Sequence, residues 1–337
     1  MTRAYNTATT QQNTGGAVSP YIAGKNFVIN GGMDIWQRGT SFANPNNGYT
    51  TDRWLGSQAT AGTITRVATG DTTNLPNIQY ALRYQRTSAS TSTAQLNIIQ
   101  NFESVNSIPL AGKTVTLSFY ARKGANYSPT SSLLGVVLPT GTGTDQNYYT
   151  AGYTGSADTI NSSATLTTTW QRFTYTATLP VTTTETAVYF YAAPTGTAGA
   201  ADYYEITGIQ LEVGSVATAF TRAGGTIQGE LAACQRYYWR DTGFQSSAGV
   251  QSANDNNVWF SLQNFNGVPM RTTPTAAIEG SPYIADFQAN LRTITSVNCT
   301  TKYAVGFAYS STKLTSNLAF GLNFSDAGRA LSFSSEL

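Results

Sequence analysis

Between Asn26 and about Arg222, apolar and hydroxyl-bearing side chains alternate in short runs. In Thr114–Ala121, the residues Val115, Leu117, Phe119 and Ala121 fall on one face while Thr and Ser dominate the other, the pattern of a half-buried strand. From Trp170 to Leu179 the alternation repeats with Phe173, Tyr175, Ala177 and Leu179 inward, and Val188 with Phe190 marks a further strand. Two glycine-bounded segments, Asn26–Gly39 and Tyr204–Gly214, also read as strands and are expected to close one β-domain across the Thr-rich stretch between them. Pro139–Gly143 and Ala193–Gly196 read as turns. Many short strands, Gly/Pro punctuation and no helical window predict an all-β sandwich over residues 25–222.

The period then changes. Ile227, Leu231, Cys234 and Tyr238 stand at i, i+4, i+7 and i+11, one stripe of a helix. Thr226 is placed to cap its start, Glu230 lies in its first turn, and Arg236 and Arg240 lie near its end, an order that suits the helix dipole. Residues 223–240 are therefore read as a connector helix. Strand patterns return in Val258–Leu262, Tyr303–Tyr309 and Leu318–Phe324, and residues 241–337 are expected to form a second, smaller β-domain. Its last run, Ala330–Leu337, is expected to complete a sheet or a subunit contact. No internal repeat, collagen triplet or heptad is present, so a long shaft is not expected. Residues 1–24 are polar and aperiodic and could not offset their own ordering entropy. We read them as a peptide that docks on another protein, the alternative being that they pack on their own domain.

Composition narrows the function classes. Only 11% of residues are charged, against about 25% in ordinary soluble domains, so Thr, Ser, Asn, Gln and Gly supply the solubility. Lys and Arg number 19 against 17 Asp and Glu and are scattered singly, which argues against binding nucleic acid through its phosphates. No run of about twenty apolar residues predicts a membrane span, and Met1 opens no secretory leader. Cys234 and Cys299 have no metal-type spacing and read as small buried apolar groups. The chain has no histidine, which excludes Ser-His-Asp and Cys-His nucleophile systems and His-ligated metal sites. An enzyme would have to run on carboxylates. Asp34, Asp52, Asp145, Asp202 and Glu205 lie near aromatics, but single acids among Gly and Thr are more often turn formers, and a non-enzyme with no cofactor is expected.

Three phrases carry a resemblance: N-x-x-I-N-G-x-M-D-I-W-Q-R-G from Asn26, T-x-D-R-W at Thr51, Asp52, Arg53 and Trp54, and I-x-x-I-Q-L-E-x-G from Ile206. Together they resemble jelly-roll modules of bacteriophage tail-fibre and virion-surface proteins, which are in turn similar to carbohydrate-binding modules of glycan-degrading enzymes. V-T-L-S-F-Y-A-R and T-W-Q-R-F-T-Y-T resemble interior strands of the same modules, E-L-A-x-C-Q-R-Y-Y their junction to a distal domain, and Val268-Pro269-Met270-Arg271 a fibre tip. The resemblance implies a jelly roll followed by a connector and a distal β-domain. It implies a short tail fibre binding host polysaccharide or lipopolysaccharide, built as a homo-oligomer, commonly a trimer, and joined to other virion proteins through residues 1–24. Such a protein is made in the host cytoplasm and leaves by lysis. A head or tail decoration protein using these domains only for assembly is the rival reading, and a binding module attached to a depolymerase is a second one.

Candidate site residues follow from both lines. Trp36 and Trp170 sit within alternating patterns and read as core. Tyr148, Tyr149 and Tyr153 lie in the Gly- and Thr-rich stretch Thr144–Gly155, where a core role is harder to satisfy, and are expected to contact glycan. Trp54, with Asp52 and Arg53, is divided between glycan contact and pinning a loop. The carbohydrate-binding relatives often hold a structural calcium, for which the resemblance offers Asp34, Asp202 and Glu205. Thr207 and Gly208 stand where further acids are expected, and calcium needs six to eight oxygens.

Overall fold

The computed structural model describes residues 24–57, 61–241, 245–247, 250–251, 257–261, 269–280, 283–286, 291–301, 304–309, 320–323 and 330–337. The proposed docking peptide, apart from Gly24, and Val268 of the tip phrase lie outside them. The chain divides into two compact units, one comprising residues 1–231 with Leu337 and the other residues 232–336.

The described residues of the first unit form twelve strands. They are β1 (Ser41–Ala43), β2 (Gly48–Tyr49), β3 (Leu55–Ser57), β4 (Gly62–Ala68), β5 (Tyr80–Arg86) and β6 (Leu96–Asn101), then β7 (Thr114–Lys123), β8 (Leu133–Gly141), β9 (Ala157–Thr165), β10 (Gln171–Thr178), β11 (Glu185–Ala192) and β12 (Tyr203–Val213). Two six-stranded sheets result, sheet A in the order β1-β4-β5-β12-β7-β10 and sheet B in the order β2-β3-β6-β11-β8-β9. The antiparallel pairings nest: β8 with β9, β7 with β10, β6 with β11, and β5 with β12. Such nesting is what a long hairpin gives when it is rolled so that successive pairs alternate between sheets, and it makes the unit a jelly roll.

The alternation read from the sequence decides which face is buried. Val115, Leu117, Phe119 and Ala121 of β7 and Val188 and Phe190 of β11 are fully buried between the sheets, and Phe119 meets Phe190 edge-on at 4.7 Å. Each of the Val, Leu and Phe side chains among them contributes about 1.5–3 kcal/mol by leaving water. Phe173, Tyr175 and Ala177 of β10 pack against the same core. The jelly roll also carries short helical turns, Ser104–Ser107 and Tyr148–Ala151 among them.

Two expectations fail here. Asn26–Gly39 is not a strand: Asn30 and Met33 take φ values of 57° and 54°, which no strand accommodates. The segment still meets β12, since Asn26 Nδ2 donates to Ile209 O and Ile209 N donates to Gly31 O. Gly208, at φ 59°, sits in a β-bulge of β12 that lets Ile209 face this segment. Pro139, Thr140 and Gly141 are the end of β8 and form no turn, because β9 and β11 pair with them.

The helix runs over Ile227–Gln235, shorter than expected. Thr226 Oγ1 accepts from Gly229 N as the capping reading requires. Tyr238 leaves the stripe and opens a strand, because Tyr237, Tyr238 and Trp239 are buried consecutively, which one helical face cannot provide.

The second unit contains a three-stranded sheet in which β15 (Ala330–Ser334) lies between β13 (Tyr238–Asp241) and β14 (Thr275–Glu279). Trp239 stacks on Phe333 at 5.1 Å across that sheet, and Arg240 pairs with Glu279 at 2.6 Å. Among the described residues, seven further strands within 245–323, the longest Leu291–Thr301, form a second sheet of this unit. Cys234 is buried, whereas Cys299 is only partly so, and its thiol is pushed up to about 11 by the burial it has.

Candidate functional site

The phrases that carry the resemblance fold into one another. Asn30 Nδ2 donates to Ile35 O, Thr51 Oγ1 and Asp52 O, and its Oδ1 accepts from Ile35 N. Asp52 accepts from Gln37 N at 2.7 Å and from Gln37 Nε2 at 2.8 Å, and lies 3.6 Å from Arg38. Arg53, at φ 71°, donates through Nη2 to Asn101 O, and Trp54 Nε1 donates to Asn30 O. Asp52 and Trp54 are 0% exposed and Arg53 2%. A glycan cannot reach them, so their expected contact role gives way to pinning the loop.

The tyrosines of Thr144–Gly155 lie elsewhere, over the outer face of sheet B. Asn147 caps the turn Tyr148–Ala151, its side chain accepting from Tyr149 N and Thr150 N, and Asn101 Oδ1 accepts from Tyr148 N. Tyr153 is 6% exposed, and its hydroxyl donates to Thr186 O at 3.0 Å. It therefore forms the floor and not a contact, and burial pushes its hydroxyl pKa well up. Tyr148 and Tyr149 remain half-buried.

Two tyrosines that the sequence reading did not single out complete the array. In β11 the core residues Val188 and Phe190 force Tyr189 and Tyr191 onto the outer face. The rings follow one another, Tyr148 to Tyr189 at 6.1 Å, Tyr149 to Tyr189 at 6.2 Å and Tyr189 to Tyr191 at 5.6 Å. The Tyr191 ring lies against Gly135 of β8, where an added Cβ would stand 2.2 Å from Cε1. Polar groups border the rings: Asn97 Oδ1 accepts from Tyr189 Oη at 2.8 Å, Asn97 Nδ2 donates to Tyr149 Oη at 3.1 Å, and Tyr148 Oη donates to Asp158 at 3.2 Å. Asn161 donates to the other oxygen of Asp158. Burial raises the hydroxyl pKa values of Tyr148 and Tyr189, with nearby Asp158 adding to both shifts, so these groups stay protonated donors. Asn97 is itself buried and fixes the Tyr149 and Tyr189 hydroxyls, so the array joins half-buried aromatic faces to the exposed Asn161 amide and Asp158 carboxylate, a surface that can stack flat apolar faces and bind hydroxyls.

The calcium residues are not brought together. Asp34 pairs with Arg222 at 2.7 Å and Asp202 with Arg86 at 2.8 Å. Glu205 is held between Arg83 and Arg122, each at 2.5 Å. Each carboxylate is neutralised by guanidinium, and among the described residues no three acidic or sulfur side chains form a group able to hold a metal ion. The acids that the resemblance offers for calcium are thus dispersed, and they serve ion pairs. Asp145 is exposed, and its carboxylate accepts from Ser104 N.

No known family matches the chain, and no curated protein matches it in sequence. Among solved structures it is similar to the enzymatically active domain of tailspike protein 4 of bacteriophage CBA120, at 15% identity and a TM-score of 0.35, over 58% of this chain and 22% of that one. The chain thus spans about a fifth of that protein's length. It is also similar to TmCBM61 in complex with β-1,4-galactotriose, at 14% identity and a TM-score of 0.33, over 56% of this chain and 99% of that one. A CBM4 structure matches at 18% identity and a TM-score of 0.32, over 55% of this chain and 98% of that one.

Proposed function

We propose that this protein is a structural component of a bacteriophage virion, a short tail fibre whose jelly roll binds host-surface glycan without cleaving it. The observation that carries the glycan reading is the half-buried array of Tyr148, Tyr149, Tyr189 and Tyr191 with exposed Asp158 and Asn161 beside it on sheet B. Sugar C–H groups stack on such rings and sugar hydroxyls bind the exposed Asn161 amide and the Asp158 carboxylate. The virion reading is supported by the resemblance of the Asn26, Thr51 and Ile206 phrases to phage surface modules and by a charged-residue content of only 11%. On this reading residues 1–24 join the protein to other virion proteins, and the C-terminal unit holds the copies together, a homotrimer being the closed symmetry we favour. Binding without cleavage is supported by the pairing of Asp34, Asp202 and Glu205 with arginines, which leaves them unsuited as a general acid or nucleophile.

Adsorption competition tests this. Purified full chain should block phage adsorption to host cells, and the Tyr149→Ala, Tyr191→Ala double variant should not. Equal blocking by both would remove the tyrosine array from host contact. Release of reducing ends from host polysaccharide by the purified chain would overturn the non-enzyme reading.

A further inference from the structure

A second recess lies away from the tyrosines, where the opening loop and the start of β5 meet the first turn of the helix. It encloses about 620 Å³, and Asp34, Gln79, Tyr80, Arg222, Ile227 and Gln228 line it. Its carboxylate is set in place. Asp34 Oδ2 accepts from Arg222 Nε at 2.7 Å and lies where a side chain on Gly32 would stand, 2.8 Å from the position of its Cβ. The other oxygen, Oδ1, has no partner among the described residues. Tyr80 stacks under Arg66 at 4.6 Å, and its hydroxyl has no partner among the described residues. Gln79 and Gln228 are exposed at the rim, and Ile227, 43% exposed, gives one apolar wall.

Charge decides the ligand class. The Asp34–Arg222 pair cancels, and Glu230 next to it is buried and spent on the N–H groups of Gly224 and Asn30. The helix start, capped at Gly229 N by Thr226, adds at most about half a positive charge, so no excess selects a phosphate or a carboxylate. The remaining groups are an acceptor oxygen, a phenol, two amides and a small apolar wall, which match vicinal hydroxyls and the C–H face of a pyranose. We propose that this recess is a second ligand site, distinct from the tyrosine array, that takes one neutral hexose unit. Asp34 Oδ1 accepts from its hydroxyls, and Gln79 and Gln228 close over it.

Saturation-transfer NMR on the full chain tests the site, with methyl α-D-glucopyranoside, methyl α-D-galactopyranoside and methyl α-L-rhamnopyranoside as probes. At least one hexoside should receive saturation and should still do so in the Tyr149→Ala, Tyr191→Ala variant. The Gln79→Ala, Gln228→Ala variant changes two exposed rim residues and should weaken that binding about tenfold, the loss of one or two net hydrogen bonds. Saturation of none of the probes, saturation indifferent to the rim variant, or saturation lost with the tyrosines would each overturn the second site. The last outcome would leave the tyrosine reading intact, whereas signal retained without the tyrosines but lost at the rim separates this site from it.

Discussion

The carboxylate of Glu230, in the first turn of the helix, accepts the backbone N–H of Asn30, two hundred positions earlier, and that of Gly224 at 2.7 Å. A residue whose spacing suggests only a dipole partner thus fastens the helix to the opening loop, at a point where Asn30 also organises Ile35, Thr51 and Asp52. Burial raises its pKa above the ordinary 4.5, and the two N–H donors oppose that shift. The folded chain therefore binds this proton more tightly than the unfolded chain. The contribution is fully present below pH 4.5 and is lost as pH rises through the folded value. Urea unfolding of wild type and Glu230→Gln should show a stability difference that shifts in the variant's favour as pH rises from below 4.5 towards neutral. A shift in the opposite direction would mean that the N–H donors outweigh burial.

Arg86 and Asp202 form an ion pair with both side chains 1% exposed. Arg86 also donates to the carbonyls of Ser90, Ser92 and Gly196, and Asp202 accepts from Ser128 N. Asp202→Ala leaves a buried guanidinium uncompensated and should cost about 3–5 kcal/mol in urea unfolding. A loss below about 1 kcal/mol, the range of exposed pairs, would show that water replaces the carboxylate.

Gly135→Ala places a methyl group where the Tyr191 ring lies. The ring can swing outward, so the fold should survive with a near-native melting temperature while glycan affinity falls about tenfold, as expected for displacing one aromatic anchor. Unchanged affinity would remove Tyr191 from the contact surface.

Trp54→Ala empties a site in the main core beside Phe190 and should destabilise the jelly roll by about 3–5 kcal/mol. Titration of the protein that remains folded should give wild-type affinity. Weaker binding by a fully folded variant would restore Trp54 to the site.

Period-2 patterning made the sheet strands legible, because Val115, Leu117 and Phe119 need only their neighbours to declare an inner face. The same pattern in Glu185–Ala192 implies that Tyr189 and Tyr191 point outward, and large rings on the solvent face were the overlooked signal for the site. The motif residues misled for a physical reason. Asp52, Arg53 and Trp54 look reactive in sequence, but their polar atoms are used within one turn and against Asn30, Gln37 and Asn101, which only tertiary structure reveals. Asn26–Gly39 has strand composition, and its left-handed Asn30 and Met33 are set by contacts with β12 and Thr51 far away in sequence. Tyr153 was indistinguishable from Tyr148 and Tyr149 until its hydroxyl was seen beneath them, bonded to Thr186 O.

The central claim is that the tyrosine face of sheet B holds glycan. Calorimetric titration of the full chain with purified host polysaccharide, alongside a Tyr189→Ala, Tyr191→Ala variant of matched circular dichroism, tests it most directly. The account predicts saturable binding by the wild type and a loss of about a hundredfold in the variant, two anchors at about 1.4 kcal/mol each. Equal affinity in the two proteins, or no heat with the polysaccharide, would contradict it.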